Sequence, residues 1–162
     1  MISIRCTGDT LKHLYFAYGS NLDQKQMRER CPNNRPVGVA YLPGYRLAFT
    51  FYSEGRWKCG CADVVRDLNS TVWGYVYELN DRDLMRLDNY EGCPYCYRRF
   101  QTKVISVDGK ELPHVWVYEV VNKGNYRPSE EYLGILLKAA EEYGFPESYR
   151  KYIEGFRPQK RV

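Results

Sequence analysis

The chain has 162 residues, 24 Lys and Arg against 20 Asp and Glu, a formal charge of +4, and 15% aromatic residues, including 16 Tyr. That length suits one core, so a single domain over 1–162 is expected, with its core at about residues 14–156. The mild, scattered charge argues against a nucleic-acid partner, and no apolar run reaches the length of a secretory leader or a membrane span, so the expected setting is the cytoplasm without a membrane partner.

Along the chain, the apolar run 14–18 ends in Gly19-Ser20-Asn21 and leads into a polar helical pattern at 23–30, which reads as strand, tight turn and helix start. Unpaired amide N–H groups at such a start can hold a carboxylate or phosphate without a cationic side chain. Strand-like runs follow at 37–42, 46–52, 58–65 and 72–77, punctuated by Pro43-Gly44 and Glu54-Gly55. Asn80 is a good N-cap for a helix over 81–90, with Leu84, Leu87 and Tyr90 at helical spacing, and Glu91 falls just past its end.

Two further strand-like runs, 97–107 and 112–120, flank Asp108-Gly109, a pair that accepts the positive φ of a hairpin turn. Ser129 then caps the clearest helix, where Tyr132, Ile135, Leu136, Ala139, Ala140 and Tyr143 share one face and Gly144 provides the stop. After Pro146, Tyr149, Tyr152, Ile153 and Phe156 repeat that spacing. So many short strands suit a closed sheet, and the expected class is α+β, a small mixed β-barrel with flanking helices.

Tyr18-Gly19-Ser20-Asn21-Leu22, Gly60-Cys61-Ala62-Asp63-Val64, Val72-Trp73-Gly74-Tyr75-Val76-Tyr77, Leu87-Asp88-Asn89-Tyr90-Glu91-Gly92, Tyr97-Arg98-Arg99 and Pro128-Ser129 occur in that order. In these residues the chain resembles the gamma-glutamylcyclotransferase family, which includes gamma-glutamylamine cyclotransferases and AIG2-like proteins. The resemblance implies that family's barrel fold. It also implies a reaction of the lyase or acyltransferase kind, in which the α-amine of a γ-glutamyl compound attacks its own γ-carbonyl, releases an amine and closes 5-oxoproline.

By the same resemblance Glu91 is the catalytic carboxylate, shuttling a proton as base and then acid. That role needs a raised pKa, expected here from enclosure by Tyr90 and the neighbouring strands. Tyr18, Gly19, Ser20, Asn21 and Leu22 would grip the substrate α-carboxylate through main-chain N–H groups, and Tyr97, Tyr118 and Tyr132 would offer orienting hydroxyls. Taken alone, residues 18–22 also fit a plain turn capped by Ser20 or Asn21, Glu91 fits a solvated surface charge, and each Tyr fits core packing. The leaving-group side of the pocket, and the oligomeric state, are not legible.

The rival signals are weaker. Ser20 lacks a Gly-x-Ser-x-Gly context, and His13 and His114 are the only histidines. Cys93-Pro94-Tyr95-Cys96 has a dithiol redox spacing but follows a helix instead of opening one. Cys59 and Cys61 with Cys93 and Cys96 would supply four thiolates for zinc; otherwise the six Cys, Cys6 and Cys31 included, are expected as free thiols. No cofactor motif is present, so neither cofactor nor metal is expected. A binding module that holds a small acid without turning it over remains the alternative to an enzyme.

Overall fold

In the computed structural model, residues 11–158 are described, so the thiol of Cys6 lies outside the described residues. The order is β1 (His13–Ala17), a 3-10 turn (Ser20–Leu22), α1 (Gln24–Arg30), β2 (Arg35–Tyr52), β3 (Gly60–Leu79), α2 (Asp81–Tyr90), β4 (Tyr97–Ser106), β5 (Glu111–Val120), α3 (Glu130–Glu142) and α4 (Glu147–Glu154). The strands close into a mixed barrel in the order β1-β3-β2-β4-β5. β1 completes it, running antiparallel to β3 and parallel to β5 through Leu14 against Val115 and Tyr15 against Trp116.

Four of the expected strands are two. Pro43-Gly44 makes a bulge inside β2 instead of a turn, with Gly44 at φ +82°. On β3 the partners of Pro43 and Tyr45 are Thr71 and Arg66, so residues 67–70 loop out between them. The Asp67 carboxylate stabilises that loop by accepting from the Asn69 N–H at 3.2 Å and the Ser70 hydroxyl at 2.8 Å. Such bulges add the twist and bend that let two long strands coil round a small barrel. The other punctuation acts as expected: Asn80 and Ser129 accept from the amides of Asp83 and Tyr132, while Gly109 and Gly144 adopt φ +90° and +65°.

Alternation along β1 divides the core. Phe16 and Tyr18 join a cluster that contains Leu42, Val64, Val76 and Val117 together with Leu133 and Leu136 of α3. Tyr15 and Ala17 point the other way, into a second cluster with Tyr77, Met27 of α1 and Leu84 and Leu87 of α2. Burial of Leu84 and Leu87 holds α2 against the barrel, each contributing about 1.5–3 kcal/mol. The end of β1 therefore opens into a space walled by barrel and helices.

Asp63, fully buried in β3, ties strands together. Its carboxylate accepts from Thr50 of β2 at 2.7 Å, the Val64 and Val120 amides at 2.8 and 2.9 Å, and Lys123 Nζ at 2.8 Å. Asp63→Ala would leave these donors without an acceptor in a closed interior, so we expect roughly 3–5 kcal/mol of destabilisation in chemical denaturation. Lys123→Ala, which removes one half-exposed donor and keeps the rest, should cost clearly less.

Candidate functional site

A cavity of about 420 Å³ lies where the turn after β1 faces the end of α2. Other cavities reach about 430 and 450 Å³, so size does not single it out. Its chemistry does, because Glu91, Arg30, Asn21 and several tyrosine rings converge on it.

Glu91 caps the C-terminus of α2, its amide bonded to the Leu87 carbonyl at 2.9 Å, and Gly92 at φ +64° turns the chain away. The side chain is half-buried in the cavity wall. Loss of water around the carboxylate pushes its pKa up to about 7; the Arg30 guanidinium opposes that rise and Asp88 adds to it. Tyr90 contributes less enclosure than the sequence suggests, since its ring is 59% exposed and stacks under the Arg30 guanidinium at 4.9 Å. The cover comes instead from Tyr15, Tyr97 and Tyr118 on the strands.

Across the cavity, the amide donors belong to the 3-10 turn and not to α1, whose cap is Asp23. Leu22 and Asp23 donate their N–H groups to the Gly19 and Ser20 carbonyls, at 3.0 and 3.1 Å. Among the described residues, the Gly19, Ser20 and Asn21 amides have no backbone acceptor. A Cβ on Gly19 would lie 3.0 Å from the Tyr132 hydroxyl and 3.2 Å from the Ala62 Cβ, so a larger residue would push turn and wall apart by a few tenths of an ångström.

Asn21, buried at 3% exposure, is the polar hub. Its Nδ2 donates to the Tyr15 hydroxyl at 3.0 Å and reaches Glu91 Oε1 at 3.4 Å; its Oδ1 accepts from Gln26 Nε2 at 2.9 Å and Arg30 Nη1 at 3.0 Å. Gln26 also donates to the Ser20 hydroxyl at 2.8 Å.

Of the nine residues expected at the site, Leu22 is the exception: it is 2% exposed within the core, and its amide is already used inside the turn. The tyrosines line the cavity, yet most of their hydroxyls are engaged. Tyr18 donates to the Tyr118 carbonyl at 2.6 Å, Tyr97 to the Ala62 carbonyl at 2.9 Å and Tyr118 to Asp88 at 2.6 Å. Tyr132 accepts from the Ala62 amide at 3.0 Å, which leaves its own proton to donate beside Gly19. Burial holds all four phenols well above their ordinary pKa, so they remain neutral donors at physiological pH.

Sequence reasoning missed Arg30, Tyr15 and the Ser53, Arg56 and Trp57 wall. Gln26 and Arg30 stand four apart on α1, which places both on the face toward Asn21, and that spacing was the available signal. Among the described residues no group of three His, Cys, Asp or Glu is arranged for a metal, and Cys31, Cys59, Cys61, Cys93 and Cys96 are free. Burial pushes the Cys61 thiol to about 12, and burial together with Asp88 raises Cys93, the reverse of an activated thiolate.

The Glu91 environment has a measurable linkage. Unfolded, the carboxyl titrates near its ordinary 4.5; folded, it holds its proton to about 7. The stability it contributes is complete below the lower value and is lost as pH rises through the upper one, by on the order of 3 kcal/mol. Glu91→Gln should therefore be more stable than the parent above about pH 8 and equal to it near about pH 4, as read from denaturation midpoints across pH.

Comparison with known proteins identifies the family. The AIG2-like family matches residues 71–153. A human gamma-glutamylcyclotransferase is 32% identical over 155 residues, covering 93% of this chain and 81% of the relative. The mouse gamma-glutamylcyclotransferase is 30% identical over 151 residues, covering 91% and 80%. A solved structure described as gamma-glutamyl cyclotransferase superposes with a TM-score of 0.85 at 29% identity, over 94% of this chain and 92% of that one. By fold, motif order and these relatives together, the chain belongs to the gamma-glutamylcyclotransferase family.

Proposed function

We propose that this chain is a cofactor-independent cyclotransferase that converts a γ-glutamyl compound to 5-oxoproline and a free amine. One observation carries the reading: a carboxylate whose pKa is raised to about 7 faces a turn with free amides across one small cavity.

The Gly19, Ser20 and Asn21 amides receive the α-carboxylate of the glutamyl group, with the Tyr132 hydroxyl beside them. Held there, the chain folds back so that its α-nitrogen meets its own γ-carbonyl, and effective molarities of about 10⁵–10⁸ M are typical of well-oriented ring closures. Glu91 takes a proton from the α-ammonium and the freed amine attacks; the carboxyl hands that proton to the departing nitrogen and takes the second proton from the ring nitrogen as the tetrahedral intermediate collapses to lactam and amine, then passes it to the released amine. A pKa near neutrality suits both halves of that exchange. Tyr97 and Tyr118 act as walls that exclude water, so the glutamyl moiety leaves as 5-oxoproline and not as glutamate.

The leaving group is left with the wall of Ser53, Arg56 and Trp57. Arg56 is exposed and lies over the Trp57 ring at 4.7 Å, offering a cation to a carboxylate-bearing leaving group. This favours γ-glutamyl amino acids over γ-glutamylamines. The chain works as one catalytic domain, and the five free thiols among the described residues support a reducing, cytoplasmic setting. No helix among the described residues is long and apolar enough to cross a membrane.

A panel of γ-glutamyl amino acids and γ-glutamylamines, followed for 5-oxoproline by mass spectrometry, tests the reading. Glu91→Gln should lower kcat by about 10²–10⁴-fold with the fold intact. Gly19→Ala should raise KM roughly tenfold by displacing one amide contact to a charged group. Release of glutamate in place of 5-oxoproline would overturn the assignment.

A further inference from the structure

We infer that Arg30 is a positioning residue of the site: by fixing which face of the Asn21 carboxamide meets Glu91, and by its own charge, it sets the protonation state of the catalytic carboxyl. The inference rests on the cyclotransferase reading above.

The argument begins with hydrogen-bond chemistry. A carboxamide can present either its oxygen or its nitrogen to a neighbour, and Gln26, itself a carboxamide, could pair with Asn21 in either orientation. A guanidinium can only donate. With Arg30 Nη1 at 3.0 Å, Asn21 must present Oδ1 to Arg30, which turns Nδ2 toward the Tyr15 hydroxyl and Glu91 Oε1. Arg30 is held in turn at the C-terminal end of α1, over the Tyr90 ring at 4.9 Å, while its buried Nε has no hydrogen-bond partner among the described residues. A buried donor left unpaired is costly, and a structural role alone does not account for keeping arginine there.

The second contribution is charge. The groups that face Glu91 are Asp88 from α2, the phenols of Tyr15, Tyr18, Tyr97, Tyr118 and Tyr132, the Cys61 thiol and Arg30. Of these only Arg30 favours the ionised carboxyl; burial and Asp88 oppose it. Without Arg30 the Asn21 and Gln26 amides are free to flip together. That would set Asn21 Oδ1 against Glu91, where an oxygen accepts from a protonated carboxyl but repels a carboxylate.

The test is the acid limb of kcat/KM against pH, paired with a carbon NMR titration of the Glu91 carboxyl in the substrate-free protein. Arg30→Gln and Arg30→Met, which remove the charge, should move both the limb and the titration upward by about 0.5–1 pH unit. Arg30→Lys also can only donate, and should keep both near the parent while raising KM a few-fold, because its ammonium lacks the planar fork. Should Arg30→Met fail to fold, Arg30→Gln carries the measurement. A folded charge-removing variant that loses only thermal stability, with limb and titration unmoved, would overturn the inference. A parent enzyme that makes no 5-oxoproline would instead defeat the functional reading, and the NMR titration would still decide the role of Arg30.

Discussion

The withdrawal of water from one carboxyl group governs this molecule. Glu91 stands at the end of a helix whose buried Leu84 and Leu87 lock it to the barrel, so the backbone that carries the carboxyl is fixed at the cavity wall. Held there, it has a proton affinity raised to near neutrality by loss of water and held back by the Arg30 guanidinium. A fully solvated Glu would be ionised too completely at neutral pH to return a proton, and a fully apolar pocket would keep it protonated. The intermediate setting needs both the aromatic walls and Arg30.

Everything else in the fold fixes the partner across the cavity. β1 is buried on both faces, so the turn that follows it leaves the barrel at one angle only. Tyr77 donates to the Asn21 carbonyl at 3.1 Å and Tyr143 to the Leu22 carbonyl at 3.1 Å, pinning the turn from the barrel and from the end of α3. Asp83, buried in α2, accepts the Asn33 amide at 2.9 Å and so joins the segment after α1 to the helix that carries Glu91. The two halves of the site are thereby coupled through a side-chain-to-backbone bond away from the cavity, not only through their facing side chains.

Much of this was legible in the residues themselves. Asn80, Ser129, Gly109 and Gly144 act locally, through caps and positive φ, and local chemistry can be read from a single stretch of chain. Pro43-Gly44 misled because a turn and a bulge share composition, and only the pairing of β2 with β3 decides between them. Leu22 misled for a related reason: it follows the amide-bearing residues in sequence, while the curl of the 3-10 turn sends its side chain into the core. The tyrosine hydroxyls were beyond reach, since their acceptors on Ala62, Tyr118 and Asp88 lie between 30 and 100 residues away. Arg30 lay between these cases, with a helical spacing visible and its target hidden.

The parallel pairing of Leu14 with Val115 has a consequence for biosynthesis. As the chain leaves the ribosome, β1 emerges early, but the neighbour that closes the barrel beside it is made about a hundred residues later. Until then β1 offers an unpaired edge to solvent and to other nascent chains. Tyr132, made later still, supplies a wall of the cavity, so the site cannot be complete until α3 has been delivered, roughly a hundred residues after the turn it faces.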